Sequence, residues 1–134
     1  MKKAVYSGFV AGLVSAIVAA LMVSVGGQMG LFGWGVVYPE SLVPYSASTF
    51  ILLGVIFGPI VAVIYSRFYD LIPGKDLRKG LNFGLIVWFI KDIMAATYVT
   101  VSMMQPILVG VNLIVGGLYM WITYGLVLGH LYKK

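Results

Sequence analysis

Two charged residues, Lys91 and Asp92, stand next to each other in the middle of an apolar stretch that runs from Gly80 to Met103. As a helix that rises ~1.5 Å per residue, this stretch is ~36 Å long, enough to cross a hydrocarbon layer of ~30 Å. Each charge costs roughly 2.5–3.5 kcal/mol near the middle of a bilayer. A lysine side chain is too short to reach either surface from that depth, so we expect both charges to face the inside of a helix bundle.

Neighbouring residues on a helix point ~100° apart, so Lys91 and Asp92 do not stack as residues four apart do. They either neutralise each other sideways or meet separate partners. Ionisable residues inside a membrane are functional candidates. This favours a proton or ion relay, or a binding site for a charged group. The alternative is a structural ion pair that fixes helix register or engages a partner subunit. The other polar residues that we expect near this site are Ser15, Tyr98, Asn112, Thr123 and Tyr124.

Catalytic and metal chemistry find little support in the sequence. The chain has no cysteine and a single histidine, His130, which excludes thiolate catalysis, disulfides and cysteine-ligated clusters. No Ser/His/Asp grouping, paired carboxylates or metal-ligand spacing accompanies His130, which we interpret as an interface residue at the end of the last helix. The sequence therefore predicts a non-enzymatic protein with no catalytic residues, no metal site and no cofactor.

The amino-acid composition indicates whether these residues lie in water or in a lipid bilayer. Of the 134 residues, 61% are hydrophobic and 10% are charged, and the mean hydropathy is +1.03. A soluble domain carries about 25% charged residues, so we predict a single integral membrane domain, residues 1–134, whose partner is the lipid bilayer. The net charge of +5 does not indicate nucleic-acid binding, because the basic residues are few and lie at the edges of apolar segments.

The charged stretch is the third of four apolar segments, which predict an all-α bundle of four transmembrane helices. The predicted helices cover residues 4–25, 49–68, 80–103 and 107–131. Residues 26–48 are rich in glycine but too apolar for a solvated loop. We expect this segment to lie in the outer membrane interface, with a re-entrant loop as the alternative.

Small residues recur at every fourth position on these helices, a spacing that lets two helix backbones approach closely in lipid. We predict helix packing at Gly8, Gly12, Gly54, Gly58, Gly125 and Gly129. Sliding the chain on itself until Lys3 falls on Lys79 also places Gly8 on Gly84. Such a match predicts that the two halves form a parallel repeat.

Basic residues flank the apolar segments unevenly. Eight of the nine lie near the termini or in residues 67–79, whereas the other two connections carry none. By the positive-inside rule, both termini and the middle loop, residues 69–79, are cytoplasmic in a multi-pass protein of the cell membrane. Four basic residues in and beside this loop also offer contacts to anionic lipid, at about 1 kcal/mol each. They are Arg67, Lys75, Arg78 and Lys79.

The segment YDLIPGKDLRKGLNFGL, residues 69–85, resembles the middle loop of a family of small four-helix membrane proteins of prokaryotes, especially archaea, whose function is unknown. This resemblance implies the same four-span layout. It implies no activity, cofactor or substrate.

Two functions stay open on these grounds. We expect a non-enzymatic membrane component that packs through its glycine faces, as an accessory subunit of a homo-oligomer or of a larger membrane complex. The alternative is a small transporter or channel-like protein in which Lys91 and Asp92 move protons, ions or a small polar solute.

Overall fold

A computed structural model of the chain describes residues 1–28, 47–102, 104 and 107–133. Four long helices make up nearly all of these ranges, and the predicted all-α fold is confirmed. The helices are α1 over Lys2–Gln28, α2 over Ala47–Phe68, α3 over Asp76–Ser102 and α4 over Ile107–Leu131.

Three of the observed helices extend beyond the expected bounds. Helix α1 begins at Lys2 rather than at residue 4, and α2 begins at Ala47 rather than at residue 49. Helix α1 also continues to Gln28, and α3 begins at Asp76 rather than at Gly80.

Residues 26–48 were predicted to lie in the outer interface. The residues at both ends of this segment are therefore helical in the structure. Its middle, residues 29–46, lies outside the described residues, as does Met103 at the expected end of the third helix.

All four helices are long and apolar enough to cross a membrane, judged by length and composition. Large apolar side chains also cover the outside of the bundle. Those that are more than half exposed include Leu21, Phe57, Phe89, Val101 and Ile107. Water penalises such a surface, whereas hydrocarbon does not. The fold therefore has the dimensions and surface of a membrane protein.

Glycine contacts join α1 to α2 and α3 to α4, and both pairs are antiparallel. In the first helix pair, α1 and α2, a Cβ atom on Gly12 would overlap the carbonyl oxygen of Gly54. In the second helix pair, α3 and α4, a Cβ atom on Gly80 would overlap the carbonyl oxygen of Gly125. These backbones approach so closely because glycine has no side chain at the crossing.

The two crossings are equivalent in their contacts. Gly12 of the first pair matches Gly80 of the second, and Gly54 matches Gly125. The carbonyl oxygens of Gly12 and Gly80 face Gly54 and Gly125 in return. Gly8 and Gly58 make the same reciprocal contact, so the glycine contacts place Gly8 or Gly12 on Gly80, whereas the register expected from the sequence places Ala4 there.

The two helix pairs join through α1 and α4, while α2 and α3 form no packed helix pair in the described part of the chain. At one end of the bundle, α2 and α3 approach through the rings of Tyr65 and Phe83, whose centroids are 5.0 Å apart. Tyr69 and Tyr132 pack on Tyr65 with centroids at 5.4 and 5.7 Å. These four residues form the aromatic cluster, which closes the bundle at that end.

The end with the aromatic cluster also carries the basic residues. The Nζ atom of Lys3 donates a hydrogen bond to the carbonyl oxygen of Lys133, which brings the two ends of the described chain together. The Nζ atom of Lys79 donates to the carbonyl oxygen of Tyr69 at 2.7 Å and lies 4.2 Å from the centroid of its ring. The chain between α2 and α3 turns at Gly74, whose φ of +105° favours glycine.

Candidate functional site

Helix α3 changes its winding where the charged residues lie. It is α-helical over Asp76–Trp88, π-helical over Phe89–Ile93, and α-helical again over Met94–Ser102. Lys91 and Asp92 are both within the π-helical segment. Single π-helical turns inside an α-helix are rare and occur often at functional sites, and nothing in the apolar pattern of the chain indicates this one.

Lys91 and Asp92 form an ion pair, with 2.7 Å between Lys91 Nζ and Asp92 Oδ1. The two neighbours thus meet sideways, which was one of the two arrangements considered from the sequence. Asp92 is buried, but the Lys91 side chain is 56% exposed. The expectation that both charges face the inside of the bundle holds for Asp92, whereas Lys91 lines the cavity with more than half of its side chain exposed.

The Asp92 carboxylate lies against α4 at Gly117. A Cβ atom on Gly117 would overlap the carboxylate, so glycine at this position makes room for the charged group. Trp121 follows Gly117 by four residues, about one helical turn, and therefore stands on the same side of α4. Lys91 Nζ lies 5.7 Å from the centroid of the Trp121 ring, within the range of a cation–π contact.

A cavity of about 500 Å³ separates the two helix pairs at this level. Helix α1 lines it mainly with small residues, α2 with apolar ones, and α3 with the ion pair. Helix α4 contributes aromatic residues and an amide. Besides the ion pair, the described wall includes Ser15, Leu53, Phe57, Asn112, Gly117 and Trp121.

Two residues of the cavity wall each have a polar atom that is buried from solvent and has no hydrogen-bond partner among the described residues. The atoms are Oδ2 of Asp92, an acceptor, and Nε1 of Trp121, a donor. Both residues are only 6% exposed. Leaving such a group unpaired costs about 1–3 kcal/mol, and more when it is charged. By contrast, Nε1 of Trp88 donates to the carbonyl oxygen of Ile114 at 2.8 Å.

The structure brings some of the predicted polar residues to the site and not others. Ser15 and Asn112 line the cavity with the ion pair, and the Ser15 hydroxyl donates to the carbonyl oxygen of Gly12 at 3.1 Å. Tyr98 is 59% exposed and does not contribute to the described cavity wall. Thr123 donates to the carbonyl oxygen of Tyr119 within its own helix.

Tyr124 connects the two helix pairs beside the cavity. Its hydroxyl donates a hydrogen bond of 2.6 Å from α4 to the carbonyl oxygen of Gly58 on α2. Tyr124 also packs its ring edge-on against Trp121, with the centroids 5.5 Å apart. The wall around Trp121 is thereby held in place from both pairs.

Sequence reasoning missed Trp121 as a site residue. Tryptophan in an apolar helix is typical of the membrane interface, so the residue type alone did not indicate a place in the cavity wall. The signal that would have found it is the spacing Gly117-x-x-x-Trp121, which sets a gap and an indole donor on one face.

The predicted lipid-contact residues divide by their surroundings. Arg67, Lys75 and Arg78 are exposed at the basic end. Lys79 instead donates a hydrogen bond to the carbonyl oxygen of Tyr69. His130 is exposed near the same end. Within the described ranges, no three His, Cys, Asp or Glu residues come together as a metal-binding group.

The arrangement suits the binding of a molecule inside the bundle. Its walls are largely apolar, and its ion pair carries no net charge. Ligand sites in proteins have this character, with a few placed polar groups in an apolar cavity of about 300–1,000 Å³.

Comparison of the chain with protein-family models, with curated proteins and with solved structures finds no match.

Proposed function

We propose that this protein is a multi-pass membrane protein that carries a small solute through the cavity between its two helix pairs. The observation that carries the proposal is the cavity of about 500 Å³, an apolar space whose wall contains the ion pair of Lys91 and the buried Asp92. A small solute with one polar group matches a wall of this kind, in which a few polar groups lie among apolar ones. This is the transport function considered from the sequence, with an uncharged solute as its cargo.

The apolar wall supports a solute over an ion. An ion that enters the cavity loses its hydration, and the neutral Lys91–Asp92 pair offers it no net charge in return. A molecule with apolar surface loses nothing by contact with residues such as Leu53 and Phe57.

The division of the bundle into two helix pairs supports transport of the solute rather than its retention in the cavity. Each pair is fixed internally by a glycine crossing, and the pairs meet along α1 and α4. Transporters commonly move one such body against another around a central binding site. In this proposal the two glycine-locked pairs are those bodies.

We propose that the basic end faces the cytoplasm of the cell, because Lys3, Lys79 and Lys133 meet there. The chain has no cysteine, so a Lys75→Cys variant carries a single thiol on this end. In intact cells, a membrane-impermeant maleimide should leave that thiol unlabelled until the membrane is opened. Labelling of closed cells would contradict the orientation.

The solute site is tested by thermal unfolding of the purified protein in detergent, with a panel of alcohols, primary amides and amino acids. A ligand at 100 times its Kd stabilises the folded state by about 2.7 kcal/mol, so a true solute raises Tm saturably. We expect Asp92→Asn to lose this response and Asp76→Asn, the same change outside the cavity, to keep it. The solute should then enter proteoliposomes faster with wild type than with Asp92→Asn.

Two results would contradict the proposal. One is a panel in which no solute raises Tm. The other is a solute that stabilises Asp92→Asn as well as wild type, because the cavity would then not be where it binds.

An accessory subunit of a larger assembly is the second candidate, and the exposure of Lys91 favours it. A lysine at this depth meets hydrocarbon at a cost of several kcal/mol unless protein covers it. The test is the native mass of the particle in nanodiscs, for wild type and for the double variant Lys91→Leu, Asp92→Leu. If wild type is a fixed oligomer and the variant is a monomer, the charges are assembly contacts.

A further inference from the structure

The loop that joins α2 to α3 is anchored to the rest of the protein at several points. The Ile72 side chain is only 6% exposed and packs in the hydrophobic core. The carbonyl oxygen of Pro73 accepts a hydrogen bond of 2.8 Å from Nδ2 of Asn82 on α3. The carbonyl oxygen of Tyr69 accepts the hydrogen bond from Lys79. The loop backbone is therefore held in one arrangement, which sets where its exposed side chains lie.

Two leucines of this region are exposed although the backbone beside them is anchored. Leu71, which precedes the buried Ile72, is 79% exposed, and Leu77 in the first turn of α3 is 46% exposed. Helices α2 and α3 are both long enough to span a bilayer, so the loop between them lies at the bilayer surface. At that depth, a leucine side chain contacts the ends of the acyl chains rather than water.

Two basic residues lie beside these leucines. The backbone N–H of Arg78 donates to the carbonyl oxygen of Lys75 at 3.0 Å, so the two residues are one turn apart. Both are exposed, and neither side chain has an ion pair or a hydrogen bond within the described ranges. The Lys79 ammonium differs, because the carbonyl oxygen and the ring of Tyr69 already contact it. Lys75 and Arg78 are therefore the cations of this loop that can meet a phosphate group.

The basic end as a whole has an excess of positive charge. All the described basic residues except Lys91 lie there, and among the described acidic residues only Asp70 and Asp76 oppose them. Such a surface attracts anionic lipids, acidic proteins and nucleic acids alike. The exposed leucines favour the lipid, because a phospholipid carries an anionic group and hydrocarbon in one molecule.

We infer that the loop surface, formed by Leu71, Lys75, Leu77 and Arg78, binds an anionic phospholipid of the surrounding bilayer. The Lys75 ammonium and the Arg78 guanidinium contact the phosphate of the headgroup, and the two leucines lie against the first carbons of the acyl chains. Among the basic residues expected to contact lipid, the inference selects Lys75 and Arg78 and excludes Lys79. It rests on the membrane location in the proposed function and is independent of the cavity.

Native mass spectrometry of the purified protein in a neutral detergent counts the bound lipid molecules and gives the Kd of the first one. Wild type should bind palmitoyl-oleoyl phosphatidylglycerol about 25-fold more tightly than phosphatidylcholine with the same chains, since each basic residue near a lipid headgroup contributes about fivefold. Lys75→Gln and Arg78→Gln should each raise the Kd for phosphatidylglycerol about fivefold. Neither change should alter the Kd for phosphatidylcholine, whose headgroup has no net charge.

Three controls separate this surface from the charge of the whole end. Lys79→Gln removes the same charge nearby and should leave the Kd for phosphatidylglycerol unchanged, because that ammonium is already bonded to Tyr69. Lys75→Arg keeps the charge and should bind the lipid as wild type does, which separates loss of charge from damage to the loop. Glycerol phosphate, which lacks acyl chains, should not bind at concentrations at which phosphatidylglycerol saturates.

Three results would overturn the inference. Equal affinity for phosphatidylglycerol and phosphatidylcholine would show that the surface does not recognise an anionic headgroup. If Lys79→Gln weakens binding as much as Arg78→Gln, affinity follows the total charge of the basic end. A short RNA or a polyglutamate peptide that binds as tightly as phosphatidylglycerol would show a polyanion surface that faces water. None of these results affects the transport proposal, which stands or falls on the solute panel.

Discussion

The two helix pairs share a scaffold and differ in what the scaffold holds. Both are locked by glycines that place backbone against backbone, Gly12 with Gly54 in one and Gly80 with Gly125 in the other. Only the second pair has a π-helical turn, an ion pair and an unpaired indole donor among the described residues. The shared crossing makes a stable pair of helices, so we place the function in what the second pair adds to it.

The difference also explains where the empty volume comes from. At the level of the ion pair, α1 presents small side chains such as Ser15 and Ala16 to the cavity. The second pair presents large and polar ones, including Asp92 and Trp121. The small side chains of α1 opposite this wall leave the space of the cavity.

The largest expected effect is on the glycine crossing, which both helix pairs share. Gly12→Ala and Gly80→Ala each place a Cβ atom on a backbone oxygen of the partner helix, so neither clash is relieved by a side-chain movement. Each should lower the free energy of unfolding by about 3 kcal/mol, the upper part of the range for overpacking. Unfolding in mixed detergent and sodium dodecyl sulfate measures the change.

Gly116→Ala is the matched control, because its Cβ atom would meet only the Tyr119 hydroxyl at 3.5 Å. We expect its stability to lie within about 0.5 kcal/mol of wild type, as for substitutions away from tight packing. If Gly12→Ala is as stable as Gly116→Ala, the first crossing is looser than described. The two pairs would then not share a scaffold.

The next effect belongs to the second pair alone. Asp92→Asn keeps the shape of the side chain but leaves the Lys91 ammonium without its counter-charge, and we expect a loss of about 2 kcal/mol. The double variant Lys91→Met, Asp92→Asn removes both charges and should recover most of that loss. Unfolding of both variants under identical conditions gives the comparison. A double variant less stable than the single one would show that the charges do not depend on each other.

The sequence predicts the scaffold better than the site, for physical reasons. Four apolar segments, each long enough to span a bilayer, predict four helices, since the length of such a segment is set by its solvent. Small residues at every fourth position predict close packing, but several registers satisfy that spacing equally. Only the three-dimensional contacts select Gly12 with Gly54 and Gly80 with Gly125.

The site depends on features that a pattern of residue types does not contain. The π-helical turn at Phe89–Ile93 follows from how α3 packs, and no residue type marks it. The pair Lys91–Asp92 was visible at once, yet its neighbour Trp121 belongs to another helix. Tyr98, beyond the pair in sequence, is exposed on the outside of the bundle because a small change in winding changes the face that a residue occupies.

A smaller effect concerns one of the links between the helix pairs, the hydrogen bond of Tyr124. Tyr124→Phe removes the hydrogen bond from α4 to the Gly58 carbonyl oxygen and should cost about 1 kcal/mol. Tyr98→Phe is the same change at an exposed position and should cost nothing measurable. We also expect the Kd of the cavity ligand to change in Tyr124→Phe, because Tyr124 packs on Trp121. Equal stability of the two variants would show that this hydrogen bond does not hold the pairs together.

The smallest effect concerns another link between the helix pairs, at the basic end. Lys79 lies in the first turn of α3 in the second pair, and its ammonium bonds to Tyr69, which follows α2 of the first pair. Lys79→Gln should lower the free energy of unfolding by about 0.5–1 kcal/mol, the usual value of an exposed cation–π contact. Lys75→Gln removes the same charge from an exposed position and should have no effect on stability. If both changes weaken the protein equally, the loss of charge is responsible and Lys79 does not hold the two pairs together; if only Lys79→Gln does, the end of the bundle that the aromatic cluster closes depends on this contact.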